Sequence, residues 1–371
     1  MTTARNRLID LLRRDARLQS TAGDAYPQLK SEWTMVASVN ELFEPNAVKD
    51  DQLRMMFSCC NPGISQQGQV SLILSLLCGF TCEEIASAFL SSRAATEKRI
   101  ARAKKALATS GRLFDLSDGD LGRRLCAVQQ AVYLMFNEGY QSASSGSVVR
   151  PELCAEALRL TRLLTEHPLT CTPASEALYA LMCLHAARLP GRVDAMGHFA
   201  PLSDQNRAQW DRNLIAQGER YLERSARGSQ LSEYHVEAAI AYIHVTAPSV
   251  SMTNWGAIVH LYDRLMAIRP SPVVALHRAI AIAQYDGPEP ALNAIWQIPD
   301  AERLAGYPFF FSTLGELELG RGNVSDARAH FQAALQRTKS AAVEQYLRER
   351  LAACEREPAP LPTVVTASSS H

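Results

Sequence analysis

Apolar residues recur along this chain at intervals of three and four, and no run of alternating β-branched residues interrupts them. That period lines one face of a helix, whereas a half-buried strand would alternate with period two, so the spacing predicts an all-α protein. Residues 4–18 set Leu8, Leu11 and Leu12 on one side and Arg5, Arg13 and Arg14 on another, a short amphipathic helix. Residues 19–50 hold Gly23, Pro27 and Pro45 and read as a linker. A helix near 51–60 is stopped by Asn61-Pro62-Gly63. The longest apolar run, Val70 to Phe80, is broken by Ser71 and Ser75 and falls short of the roughly 20 residues that cross a bilayer. No membrane segment is expected.

A more specific pattern occupies residues 69–108. Thr81 precedes Cys82-Glu83-Glu84 and offers a capping box, its hydroxyl taking a free backbone N–H while Glu84 reaches back. Ile85, Ala86 and Phe89 give the helix that follows its apolar face, and Leu90-Ser91-Ser92 supplies a short turn. A second helix, from Arg93 to about Leu107, buries Ile100, Ala103 and Leu107 and directs Arg93, Thr96, Lys98, Arg99, Arg102 and Lys105 to its other face. This is the layout of a helix-turn-helix whose second helix enters a major groove. Arg93, Thr96, Glu97, Lys98 and Arg99 are placed to read base edges, and Arg102, Lys104 and Lys105 to hold phosphates. A basic run alone would equally suit the solvated face of a bundle helix. The cap, the short turn, the small buried alanine and the one-sided basicity together favour DNA.

From about 120 onward the pattern is a succession of helices punctuated by Gly, Ser and Pro turns. Residues 309–320 and 325–338, joined by Arg321-Gly322-Asn323-Val324, place Gly315, Ala327, Phe331 and Ala334 as in a tetratricopeptide unit, where small residues let two helices approach. A weaker copy spans about 273–297, with Ala279, Ala281, Ala283, Ala291 and Trp296. Residues 357–371 are Pro/Ser/Thr-rich and read as disordered.

Charge changes the picture in one respect. Lys+Arg and Asp+Glu balance at 38 each over 371 residues, yet residues 1–113 hold 15 basic against 11 acidic while the remainder holds 23 against 27. The surplus sits in residues 4–17 and 69–112, on two helices, as phosphate contact requires. With 47% apolar residues the chain can fill ordinary cores. The N-terminus lacks an uninterrupted apolar stretch and a small-residue cleavage site, so a cytoplasmic location is expected. Nine scattered cysteines form no Cys-x-x-Cys pair and read as reduced, and Cys78 with Cys82 lack the partners for zinc.

In this order the motifs resemble the extracytoplasmic-function (ECF) sigma factors of bacteria, in particular those with a long tetratricopeptide-like C-terminal extension. The resemblance rests on Ala4-Arg5-Asn6-Arg7-Leu8-Ile9-Asp10-Leu11-Leu12-Arg13-Arg14, on Leu53-Arg54-Met55-Met56-Phe57-Ser58-Cys59-Cys60, and on the stretch from Gly79-Phe80-Thr81 to Lys104. In the extension it rests on Phe136-Asn137-Glu138-Gly139-Tyr140, Leu184-His185-Ala186-Ala187-Arg188, Gln209-Trp210-Asp211-Arg212 and Tyr262-Asp263-Arg264-Leu265. It implies a remnant of sigma domain 2 at 1–18, a linker at 19–50, sigma domain 4 at 51–113 and the extension at 114–356. It further implies contact with the upstream (−35) promoter element and with core RNA polymerase, and puts Arg5, Asn6, Arg13 and Arg14 near promoter DNA. Most of sigma domain 2 would precede Ala4, and Asn61 stands where the family has His.

No catalytic set emerges, and no cofactor or metal is expected. Asn137-Glu138-Gly139-Tyr140 reads as a helix end with Gly139 as C-cap. Arg188, Arg192 and Asp194 suit either an anion or peptide carboxylate or an internal ion-pair network, the latter being the plainer reading, and Trp210-Asp211-Arg212 likewise. His185, His235, His244, His260 and His277 lack metal spacing. The expected function is a non-enzymatic, sigma-factor-like recruiter of polymerase, regulated through its extension, to which a protein or peptide would bind. The alternative is a truncated sigma relative that acts as an interaction module with residual DNA binding.

Overall fold

A computed structural model of the chain describes residues 48–109, 118–140, 149–192, 200–227, 230–338 and 340–355. The expected helix at 4–18, with Arg5, Asn6, Arg13 and Arg14, lies outside these residues, as do nearly all of the linker, Asp194 and the tail. The protein is all-α: among the described residues fifteen α-helices and three short 3-10 turns account for the regular structure, with no strand.

The first four helices wrap one apolar segment. Helix α1 (Asp51–Cys59) starts where the Asp50 carboxylate accepts the Leu53 N–H at 2.9 Å, and it buries Leu53, Met56 and Phe57. The chain then turns at Asn61, whose side chain accepts the Gly63 N–H. Helix α2 (Gln66–Leu76) opens on exposed glutamines and is then buried on every side from Val70 to Leu74, where other helices enclose it. Helices α3 (Cys82–Ala88) and α4 (Arg93–Thr109) both pack on it. A Cβ on Gly68 would lie 2.8 Å from Ile64, so glycine there permits the close approach of the preceding turn.

Helix α5 (Asp118–Tyr140) is the joint of the molecule. Leu121, Leu125, Val128, Val132 and Met135 recur at intervals of three and four and are all buried. They meet α1, α2 and α3 along one part of the helix, and α6 (Pro151–Glu166) and α7 (Pro173–Ala186) along another. One apolar cluster consequently takes in side chains from Leu53 of α1 to Val245 of α9 (Glu233–Thr246), with α7 wedged between α9 and α8 (Arg212–Ser225). Polar ties reinforce the joint: Arg124 donates to the Phe57 carbonyl, Gln66 to Gln130, and Arg159 pairs with Asp50 at 2.6 Å.

Beyond α9 the cores are smaller and local. Helices α10 (Trp255–Ile268), α11 (Pro272–Asp286), α12 (Pro288–Trp296), α13 (Pro308–Gly320), α14 (Val324–Leu335) and α15 (Ala341–Glu355) each pack mainly on their neighbours in sequence. The pair α13 and α14 meets through Gly315, where a Cβ would lie 2.6 Å from the Phe331 ring, and Ala327, Phe331 and Ala334 are fully buried. Gly322, at φ +81°, takes the left-handed turn between the two. In the pair α11 and α12, Ala279, Ala281 and Ala291 are buried, but Trp296 is 67% exposed and contributes no core.

Candidate nucleic-acid interface

The unit α3–turn–α4 is built from its cap upward. Thr81 accepts the Glu84 N–H at 3.2 Å and Glu84 accepts the Thr81 N–H at 2.6 Å, so two of the free donors at the start of α3 are satisfied reciprocally. Ile85 and Ala86 bury the inner face. The turn closes with the Ser91 N–H on the Ala86 carbonyl and with Leu90 in the left-handed region at φ 46°, a conformation that costs a non-glycine residue about 1 kcal/mol. Its side chain packs on the apolar cluster of α11, α12 and α13, which anchors the turn to the distant extension. Ser92 then caps α4 by accepting the Ala95 N–H.

Helix α4 is two-faced. Thr96, Ile100, Ala103 and Leu107 face inward, while Arg93, Glu97, Lys98, Arg102 and Lys105 are exposed. Thr96 is the one base-reading candidate that the structure moves: it is fully buried, and its hydroxyl pairs with that of Ser91 at 3.0 Å. It braces the turn and does not reach the surface. Arg93 is held by Glu97 at 2.8 Å and Glu83 at 3.2 Å, which neutralises it in place. Arg99 lies half-buried with its guanidinium 5.3 Å from the Phe89 ring, and one of its terminal nitrogens is buried without a hydrogen-bond partner. Lys104 is half-buried, and burial pulls its ammonium below the usual lysine range. The exposed surface of α4 is therefore a stripe of Lys98, Arg102 and Lys105 between Ala94, Ala101 and Ala108. Small residues beside cations leave room for a sugar-phosphate backbone to come close.

Two placements in the extension differ from expectation. Gly139 is no C-cap: it lies inside α5 without a positive φ, and a Cβ there would meet Cys154 and Leu153 at 2.8 to 2.9 Å, so it serves helix packing. Asp211 joins no ion pair among the described residues and instead caps α8 by accepting the Asn213 and Leu214 N–H groups, while Asp194, the carboxylate expected beside Arg188 and Arg192, lies outside the described residues. Arg207, which the sequence did not single out, and His244, read there only as lacking metal spacing, join Arg188 in space. Sequence reasoning also missed the Arg150–Glu84 ion pair at 3.3 Å, which ties the cap of α3 to the start of α6. Among the described residues no helix is long and apolar enough to cross a membrane, and no group of three His, Cys, Asp or Glu is placed to hold a metal ion.

These features define an all-helical protein that presents a basic helix beside a helical extension. Over 312 residues the chain is 38% identical to an uncharacterized protein of Rhizobium meliloti (strain 1021), covering 84% of this chain and 73% of that protein, and it belongs to the same family. Residues 124–226, from α5 through α8, match the family of unknown function DUF6596. No solved structure matches.

Proposed function

We propose that this chain is a sigma-factor-like transcription initiation protein of the bacterial cytoplasm. The α3–turn–α4 unit docks α4 in the major groove of the upstream promoter element, core RNA polymerase is the partner, and the extension adjusts the output. No covalent chemistry is involved. The observation that carries this reading is the division of α4 into a buried face and an exposed stripe of Lys98, Arg102 and Lys105, on a helix fixed by two caps and a short turn. The order of motifs shared with the ECF sigma factors supports the polymerase part of the proposal.

The test is a pull-down of core RNA polymerase by the full chain and by a version extended upstream in the reading frame, followed by run-off transcription on promoter DNA. Retention of polymerase by either version, with promoter-dependent transcripts, is the expected result. Retention by neither would transfer the proposal to the second reading, a protein-interaction module. That reading draws on a specific observation: the large apolar side chains exposed among the described residues, Leu231, Met252, Ile268, Tyr285, Trp296 and Val324, all lie in the extension.

A further inference from the structure

A second concentration of positive charge lies inside the extension. Arg188, just after α7, is only 7% exposed, and its guanidinium sits 5.5 Å from the Trp210 ring. Arg207 approaches the same ring to 4.6 Å from the 3-10 turn Arg207–Gln209 and donates through one nitrogen to the carbonyls of His244 and Ala247. Tyr140, at the end of α5, packs at a tilt against His185 of α7, with ring centroids 5.0 Å apart. The two imidazoles are held neutral: burial, with the arginines beside them, pulls His185 down to about 3 and His244 to about 4. The charge of the cluster therefore stays on its guanidiniums, which do not shed their protons.

The hydrogen bonding of this cluster is incomplete. Nε of Arg188, the second terminal nitrogen of Arg207, the indole Nε1 of Trp210, the Tyr140 hydroxyl and Nδ1 of both histidines are buried and meet no partner. Among the described residues no carboxylate lies within ion-pair distance of Arg188 or Arg207. Buried polar groups in folded proteins are hydrogen-bonded almost without exception, and a buried charge needs a counter-charge. A Cβ on Gly191 would lie 3.1 Å from the Trp210 nitrogen, so glycine lets the backbone pass close to that edge of the indole.

We propose that these groups form a closed site for a small dianion, a phosphate group by preference, gripped by Arg188 and Arg207 with Trp210 and Tyr140 completing its hydrogen bonds. Among the described residues Arg188 and Arg207 meet no carboxylate, and Arg192 adds a further guanidinium 3.9 Å from the Tyr140 ring, so the cluster suits two negative charges, which a single carboxylate would not supply. Donors arriving from α5, from the end of α7 and from the 3-10 turn suit a tetrahedral group better than a planar one. The site is separate from α4, and its existence does not depend on the reading of α4 as a DNA-binding helix.

The test uses the full chain, titrated calorimetrically and followed by thermal melting with sodium phosphate and, separately, sodium succinate, at ionic strength held constant with sodium chloride. Native mass spectrometry beforehand reads any anion carried through purification, and such an occupied site counts as binding. Phosphate is expected to raise the melting temperature by several degrees beyond the chloride control. Arg188→Met and Arg207→Met are each expected to weaken phosphate by about thirtyfold, the worth of one charge-assisted bond, while Arg162→Met on the exposed side of α6 leaves it unchanged. Without anion, Arg188→Met should melt no lower than the parent, because it removes an uncompensated charge. Succinate binding with no phosphate binding would overturn the phosphate assignment. No effect of either anion on a chain that carries none would overturn the site, and so would an anion-free Arg188→Met that melts well below the parent, the mark of an internal counter-ion.

Discussion

Helix α4 and the interior of the extension use the same side chain in opposite surroundings. On α4 most cations stand in water: Arg93 is balanced by two glutamates, Lys98, Arg102 and Lys105 are exposed, and Arg99, over Phe89, and Lys104 turn partly inward. Between α5, α7 and α9 the guanidiniums of Arg188 and Arg207 lie against aromatic rings with donors unmet. The exposed set has low desolvation cost and acts at a distance that salt can screen. The inner set is screened little and can recognise only what fits among its donors. A polyanion too large to enter suits the first, and a small anion suits the second.

The comparison breaks most sharply on the exposed stripe. Replacing Lys98, Arg102 and Lys105 together by alanine is expected to weaken promoter DNA by on the order of a thousandfold at about 0.1 M salt, taking each phosphate contact as about tenfold, and to reduce the salt slope by nearly three. Gel-shift titrations at several salt concentrations measure both, and the thermal melt should stay within about 2 °C of the parent because the stripe buries nothing. The inner face of the same helix should behave in reverse. Ile100→Ala, at a site 5% exposed, should cost about 3 kcal/mol in urea denaturation.

A half-buried acid on α9 gives a pH-dependent test. Glu237 is pushed up to about 7 by burial beside Tyr133, whose hydroxyl donates to it at 2.7 Å. Its folded value lies above the unfolded one, so its contribution is fully present below about pH 4.5 and is lost as the pH rises through about 7, by roughly 2–3 kcal/mol. Glu237→Gln should flatten that stretch of the stability profile, and an unchanged slope would show that another group causes it. The smallest effect is at the cap: Thr81→Ala should lower stability by about 1 kcal/mol, read by thermal melting, because the Glu84 N–H loses its acceptor.

Much of this was legible in the sequence wherever the signal was local. The capping box at Thr81, the inward Ile100, Ala103 and Leu107, and the Gly315–Phe331 contact each follow from spacing within one helix or one adjacent pair. Thr96 was misplaced because a helical wheel counts a threonine as polar and knows nothing of the Ser91 hydroxyl waiting at the turn. Gly139 was misplaced because a glycine near a helix end suggests a cap, whereas here Cys154 approaches from another helix. Arg207 and His244 could not be linked to Arg188 at all. They come from segments separated by tens of residues, and only the packing of α7 between α8 and α9 brings them together.

The shared core across α5 also bears on how such a chain can be altered over evolutionary time. Extensions attached through a linker can be traded between proteins at small cost. Here α5 closes the wall over α1, α2 and α3 with one side and founds the extension with the other, and Arg124, Arg150 and Arg159 stitch the seam. A protease cut or gene break after residue 113 would strip α2 of its cover and leave Val70, Leu72 and Leu74 open to aggregation. Because the core is shared, a substitution at the seam in either half should be felt in the stability of both.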